Sequence, residues 1–289
     1  MDLKTQTAAQ PGSAPAVVLS VVVPMYNEFL RIGPTLADLT ATLERGSIPA
    51  EIILVDDGSP DLTVSAVTPA LTEVPTGNLK RVALVRHPVN RGKGAAVRTG
   101  LEAASGAWIL MMDADNAARV REVERLWPRT NDPSVVMVCG SRNTSDAQVQ
   151  TRLFRKFAGG VFRLALGMLG LNLLRDTQCG FKLYRADAAR AVVALGREDR
   201  FAFDLEHLLL ASRLGKLPEV GIAWEHKDGG TVHPIRDGLK MLREAARIRL
   251  RFFRDGRAER VLAASQVELK PEGASRTDRG ATVSGTLRG

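Results

Sequence analysis

Two carboxylates at i and i+2 close an apolar run, Trp108-Ile-Leu-Met-Met112 followed by Asp113-Ala-Asp115-Asn116. Side chains two apart on a strand point to the same side, so Asp113 and Asp115 can face one divalent cation at the strand's carboxyl end. A hard cation held by one or two carboxylates keeps positions open for phosphate oxygens. That is the chemistry of an enzyme handling a metal-bound diphosphate. On the pair alone, a solvated Asp-x-Asp turn is an equal reading, and the rest of the chain must decide.

Two further polar groups follow apolar runs. Asn90-Arg91-Gly92-Lys93-Gly94 lies between a strand pattern and a helix pattern. Its glycines permit close backbone approach, a helix N-terminus favours an anion, and Lys93 adds a point charge for a phosphate. It is not the phosphate loop of P-loop NTPases, and no dinucleotide-binding G-x-G-x-x-G follows the first strand. The plain alternative is a tight turn. Asp56 and Asp57 end the second apolar run; one could accept bonds from a base or ribose while the other caps the turn at Gly58-Ser59.

The elements that must position these groups alternate. Residues 1–16 read as a flexible tail. Val17–Val23 is a β-branched run ending at Pro24, typical of a strand buried on both faces. Helical spacing follows over Pro34–Leu43, then strand patterns at Glu51–Val55, Arg81–Arg86 and Trp108–Met112, with a helix from Ala95 to Ala104 before the last. Val135–Cys139 reads as another strand. Strands alternating with helices predict a parallel sheet with right-handed crossovers. Ligands of such sheets bind at the strands' carboxyl ends, so Tyr26–Glu28, Asp56-Asp57 and Asp113/Asp115 are expected to line one crevice.

At 289 residues, with 45% hydrophobic and 25% charged content, the chain can bury a large core. Forty Lys+Arg against 32 Asp+Glu suits phosphorylated ligands, anionic lipid or nucleic acid. Two cysteines, Cys139 and Cys179, give no disulfide framework and suit a reducing compartment. A structural zinc site lacks ligand spacing, and Met1–Pro15 lacks the pattern of a signal peptide. No segment reads as a spanning helix; Ala158–Leu174, interrupted by Arg163 and Asn172, is too short. Arg236–Arg260 carries nine Lys/Arg against four acids, together with Leu239, Leu242, Ile248, Leu250, Phe252 and Phe253. It reads equally as a basic amphipathic helix in a headgroup layer or as a helix packed on the sheet with a charged outer face.

In order, Val23-Pro24-Met25-Tyr26-Asn27-Glu28, Val55-Asp56-Asp57-Gly58-Ser59, Asn90–Gly94 and Asp113-Ala-Asp115 resemble the signature of family 2 glycosyltransferases of GT-A fold. Arg175-Asp176-Thr177-Gln178-Cys179-Gly180-Phe181-Lys182 and Phe201-Ala202-Phe203-Asp204-Leu205-Glu206 are similar to the dolichyl-phosphate β-glucosyltransferase branch and, more distantly, to polyprenyl-phosphate mannose synthases. The resemblance covers about residues 18 to 254. It implies an α/β, Rossmann-like, mostly parallel sheet flanked by helices. The expected organisation is a tail over 1–16, a glycosyltransferase domain over 17–235, a basic amphipathic helical segment over 236–262 and a disordered tail over 263–289.

The resemblance also implies roles. Pro24, Tyr26, Glu28 and Asp57 are expected at the nucleotide-sugar donor, a UDP- or GDP-hexose, with Lys93 and Asp113 near its diphosphate. Asp115 and Asp113 are expected to bind Mg2+ or Mn2+. Asp204 falls at the position of the acidic catalytic residue, although it is also placed to cap the helix Leu205–Leu214; Asp176 is a second acidic candidate. Arg142, Arg152 and Arg155 are cations for an acceptor phosphate. One departure stands out: the related enzymes carry Gly-Ser-Lys after the Trp-Glu segment, where this chain has Trp224-Glu225-His226-Lys227-Asp228-Gly229-Gly230-Thr231. An N-terminal membrane anchor like that of the eukaryotic enzymes is not expected from this sequence either.

The expected activity is inverting, metal-dependent transfer of glucose or mannose to a polyprenyl or dolichyl phosphate, by a protein peripheral to the cytoplasmic face of a membrane. The alternative is transfer to a hydroxyl of a glycolipid or polysaccharide. A nucleic-acid-binding role fits less well, because the basic residues are not interleaved with aromatics and the strand-end carboxylates repel phosphate. An inactive sugar-nucleotide binder fits poorly with intact Asp113 and Asp115.

Overall fold

The computed structural model describes residues 17–149, 167, 170, 173–225 and 234–254. In chain order the elements are β1 (Leu19–Met25), α1 (Phe29–Arg45), β2 (Ala50–Asp56), α2 (Thr63–Thr72), β3 (Leu79–Arg86), α3 (Lys93–Ala103) and β4 (Trp108–Met112). A short helical stretch containing α4 (Val123–Leu126) leads to β5 (Met137–Ser141) and β6 (Gln148–Val149). Then come β7 (Phe181–Arg185), α5 (Ala186–Leu195), α6 (Phe203–Ala211), β8 (Glu219–Gly221), β9 (Ala223–Trp224) and α7 (Pro234–Arg254).

Seven strands form one sheet in the order β3-β2-β1-β4-β7-β5-β8, and β6 pairs with β9 in a small second sheet. The expected mostly parallel α/β sheet is present. Its one reversal is β7, antiparallel to both β4 and β5. This strand escaped the sequence reading, since Phe181-Lys-Leu-Tyr-Arg185 places a lysine in what is a buried position. Its consequence for the site is large. Met112 pairs with Phe181, so the segment entering β7 arrives beside the aspartates leaving β4.

β1 runs through Pro24 rather than ending before it. The β1–β4 pairing stops at Val22 opposite Met111, so the N–H that proline lacks interrupts no bond to β4. Alternation along the strands divides the core in two. Val22, Ile53, Val55, Ile109, Met111 and Tyr184 face a layer of α3, α5, α6 and α7. Val21, Val23, Ile52, Leu54, Leu110 and Phe181 face α1, α2 and α4. The period of two thus serves both faces of a sheet covered on each side.

α7 packs part of the apolar side of the basic segment on the protein. Its Ala245, Ile248 and Phe252 are buried in the core, Arg213 lies over the Phe252 ring at 5.1 Å, and Arg243, Arg247, Leu250 and Arg254 are exposed. The apolar stripe of residues 242–252 is therefore used against the protein. Among the described residues no helix is long and apolar enough to cross a membrane.

α3 lies directly on the sheet because Gly100 has no side chain. A Cβ there would meet Val22 Cγ1 at 2.2 Å and Val55 Cγ2 at 3.2 Å. Gly100→Val is expected to lower unfolding free energy by about 1–3 kcal/mol through overpacking, read as a shifted urea midpoint at unchanged slope.

Candidate active site

Three turns meet at the carboxyl edge of the sheet. After β1 the chain turns at Asn27, whose φ of 56° is a left-handed conformation that asparagine tolerates. The Asn27 N–H donates to Ser59 Oγ (3.1 Å) and the Glu28 N–H to Thr63 Oγ1 (2.8 Å), stitching this turn to the one after β2. Pro24 is buried, whereas Tyr26 stands 44% exposed. Glu28 is held by Arg31 at 2.6 and 2.8 Å. Burial raises its pKa against the pull of Arg31, and the charges of Asp115 and Asp113 raise it further. These three carboxylates therefore share one electrostatic neighbourhood.

Asp56 caps the turn as expected for one of the pair, accepting from the Ser59 N–H (3.2 Å) and from Arg86 Nε (3.1 Å). Asp57, expected at the nucleotide, is tied into the protein as well. It is 2% exposed, and its oxygens are engaged by His87 Nδ1 (2.7 Å), the Arg91 N–H (2.9 Å) and the Gly92 N–H (2.7 Å). Here it fastens the Asn90–Gly94 loop from inside.

The glycines of that loop also have an internal reason. Gly92 has φ 109°, and a Cβ on it would lie 2.3 Å from the Asp199 carbonyl oxygen; one on Gly94 would lie 2.3 Å from that of Glu198. The Ala95 N–H donates to the Asp199 carbonyl (3.1 Å). The close approach predicted from the glycines is real, and the 196–200 backbone is one partner in it. Lys93 is left projecting from between them, and its Nζ reaches Asp113 Oδ1 at 2.5 Å. Partial burial works against the Lys93 charge, yet Asp113 and then Asp204 outweigh it and hold its pKa above the usual lysine value.

Asp113 and Asp115 emerge from β4 partly exposed. Asp115 Oδ1 accepts the Ala117 N–H (3.0 Å), and the turn between them is pinned by Thr35 Oγ1 on the Ala114 carbonyl (2.7 Å). Gly180 lies against Asp113: a Cβ would sit 2.1 Å from Oδ2. The donor set is hard oxygen, suited to Mg2+ or Mn2+. Among the described residues no cluster of three or more His, Cys, Asp or Glu could hold a metal. Among the described residues Asp113 and Asp115 are the pair placed for a cation at the end of β4, which fits one that completes its shell with substrate phosphate and water.

Asp204 is buried in the first turn of α6, whose N-cap is Ala202 with no side-chain cap bond. The capping alternative therefore fails: Asp204 lies inside the helix. Its Oδ1 accepts from Lys182 Nζ at 2.6 Å, and the same ammonium donates to the Cys179 carbonyl at 2.6 Å. Burial raises the Asp204 pKa, with Lys182 and then Lys93 opposing. Lys182 is fully buried and is the polar residue the sequence reading missed. The available signal was a lysine alternating with apolar residues right after a glycine. Asp176, 4% exposed, is bound by Arg142 through Nε (2.8 Å) and Nη2 (2.9 Å) and by the Arg142 N–H (2.9 Å). The Arg142 guanidinium also lies over the Trp224 ring at 5.4 Å. Arg152, Arg155, His226 and Lys227 lie outside the described residues.

An Asp-x-Asp pair, Lys93 and the buried Asp204 thus share one region at the sheet edge. Residues 20–193 match the family described as Glycosyl transferase family 2. The chain is 34% identical over 249 residues to a dolichyl-phosphate beta-glucosyltransferase of Dictyostelium discoideum, covering 82% of this chain and 75% of that protein. It is 33% identical to the enzyme of that name from Homo sapiens, covering 88% and 82%. Among solved structures it resembles glucosyl-3-phosphoglycerate synthase from Mycobacterium tuberculosis in complex with Mn2+ and UDP-glucose (TM-score 0.58, 21% identity, 81% of each chain). Mannosyl-3-phosphoglycerate synthase from Rubrobacter xylanophilus is similar too (0.54, 18%, 83% and 75%). The fold is GT-A, and the chain belongs to glycosyl transferase family 2. It is a glycosyltransferase.

Removing Lys182 leaves Asp204 buried without its nearest cation. Lys182→Met is expected to cost about 3–5 kcal/mol near neutral pH. The folded variant then holds a proton on Asp204 that the unfolded chain releases above about pH 4. The Asp204 pKa is raised in wild type too, so the deficit should grow only above that value, where wild type has released the proton and the variant still holds it. Urea melts of both proteins at about pH 4 and about pH 7 check the sign.

Proposed function

We propose that this chain is an inverting, divalent-metal-dependent hexosyltransferase that moves glucose or mannose from a UDP- or GDP-hexose to a polyprenyl or dolichyl phosphate. The observation that carries the proposal is the convergence of Asp113, Asp115, Lys93 and the Lys182–Asp204 pair at one sheet edge. Its support is the sequence likeness to dolichyl-phosphate beta-glucosyltransferases over most of the chain and a shared fold with a UDP-glucose- and Mn2+-binding synthase.

Asp113 and Asp115 would hold Mg2+ or Mn2+, which when bound supplies Lewis-acid stabilisation of the diphosphate charge. Lys93 adds a cation at the same place. Tyr26 and Glu28 border the crevice on the donor side. An oxygen of the acceptor phosphate attacks the anomeric carbon as the bond to the donor's β-phosphate oxygen breaks, and the nucleoside diphosphate departs with the electron pair. Direct displacement inverts the anomeric centre. Arg142 is a candidate for the acceptor phosphate. Its Nε and one Nη are used by Asp176, while Nη1 has no bond to a described residue.

The state of Asp204 favours phosphate over hydroxyl as acceptor. A hydroxyl needs a general base within reach, but Asp204 is 6% exposed and salt-bridged to Lys182. A phosphomonoester, with a second pKa of about 6, is already largely ionised and needs no base. In this reading Asp204 and Lys182 form a fixed dipole at the sugar side of the crevice. The outward Arg243, Arg247 and Arg254 of α7 offer a basic face to anionic lipid, consistent with peripheral attachment at the cytoplasmic face.

A panel of UDP- and GDP-hexoses with polyprenyl phosphate and Mn2+ is expected to give a product that partitions into organic solvent and is cleaved by mild acid. A water-soluble or acid-stable glycoside would point to the hydroxyl acceptor and sink the phosphate assignment. Asp115→Asn should lower kcat/KM at least about a hundredfold with an unchanged melting temperature; full metal-dependent activity would refute the metal role. Gly180→Ala should displace the Asp113 carboxylate and weaken Mn2+ binding about 10–100-fold, measured by calorimetry.

A further inference from the structure

Glu206 lies two positions after Asp204 on α6 and bonds away from the crevice. Its Oε2 accepts the Arg197 and Glu198 N–H groups, both at 2.7 Å. Two carboxylates thus sit close together, Glu206 and the side chain of Glu198, and their repulsion adds to the burial that raises the Glu206 pKa. Arg251, from the last turn of α7, lies between them. Its Nη2 donates to Glu198 Oε1 at 2.6 Å and its Nη1 to Glu206 Oε1 at 3.4 Å.

The loop held in this way is the one that packs on the Asn90–Gly94 turn. The Glu198 carbonyl accepts from Arg98 Nη1 (2.6 Å), and Arg98 also bonds the Asp199 carboxylate. The Asp199 carbonyl takes the Ala95 N–H, and the Glu198–Asp199 backbone fills the space that side chains on Gly92 and Gly94 would need. Lys93 lies between those glycines with its ammonium on Asp113. The path from α7 to the donor site is therefore continuous: Arg251, Glu198, Asp199, the α3 N-terminus, Lys93. α7 itself is seated by Ala245, Ile248 and Phe252.

We infer that Arg251 is a positioning residue of the donor site: by neutralising Glu198 and Glu206 it holds the 196–200 loop against Gly92 and Gly94 and so sets where Lys93 presents its charge. The inference rests on the proposed donor site for its kinetic consequence, but not for its structural one. It gives α7 a role beyond offering a basic surface, since a residue far along the chain closes the layer behind the diphosphate-side lysine.

The test compares wild type, Arg251→Gln, Arg251→Lys and Glu198→Gln by hydrogen exchange and donor kinetics. In Arg251→Gln the amides of Ala95, Arg197 and Glu198 should exchange about tenfold faster, the fold-change of one lost charged hydrogen bond, while β1 and β2 amides keep their protection. Donor KM should rise by a similar factor with a smaller change in kcat. Arg251→Lys should recover part of both, and Glu198→Gln should show a weaker form of the Arg251→Gln pattern, because its amide oxygen can still accept from Arg251 but without the charge. Unchanged exchange at residues 95, 197 and 198 would overturn the inference. So would a uniform rise that includes β1 and β2, or an unchanged donor KM in an active enzyme. Should wild type transfer no hexose in the assay, that result counts against the proposed function, and the exchange pattern still decides the latch.

Discussion

Carboxylates crowded at one edge of a sheet repel one another and resist burial, so those that are buried or closely packed need a partner for this fold to close. Asp113, Asp176 and Asp204 meet cations one to one, with Lys93 at 2.5 Å, Arg142 at 2.8 Å and Lys182 at 2.6 Å. The pairs differ in burial and hence in what they can do. Lys182–Asp204 is closed off from solvent, and a charge there is costly without its partner. Lys93–Asp113 is about a third exposed, so its members remain open to exchange for a ligand. The gradient from a sealed pair to an open one runs across the proposed crevice.

The reversed strand β7 makes that gradient possible. Because it enters the sheet between β4 and β5 in the opposite sense, the turn before it lies beside the turn after β4. Gly180 then touches Asp113 and Lys182 reaches α6. An all-parallel sheet would deliver the start of that strand to the opposite edge, and the lysine with it.

Glycine and acid roles divide in a related way. Gly92 and Gly94 admit a backbone, and Asp57 secures the same loop through two of its N–H groups. Both also have partners within the protein, which composition alone does not reveal. Loop residues that hold a site in shape share composition with residues that touch substrate, because each must satisfy exposed backbone groups and permit close approach.

The alternation of strands and helices, the metal-type spacing of Asp113 and Asp115, and the family itself were legible from the chain, because periodicity and strand-end polarity are local properties. The positions of Lys182 and Arg251 were not. A lysine in an alternating strand and an arginine in a basic helix read as solvent-facing, and only long-range packing buries one beside Asp204 and wedges the other between Glu198 and Glu206. Tertiary structure likewise decided that part of the apolar stripe of α7 belongs to the core and that Asp204 is not a cap. Each of these depends on which element lies opposite. A residue's own neighbours in sequence do not carry that information, since the charge or apolar surface that answers it lies tens of residues away.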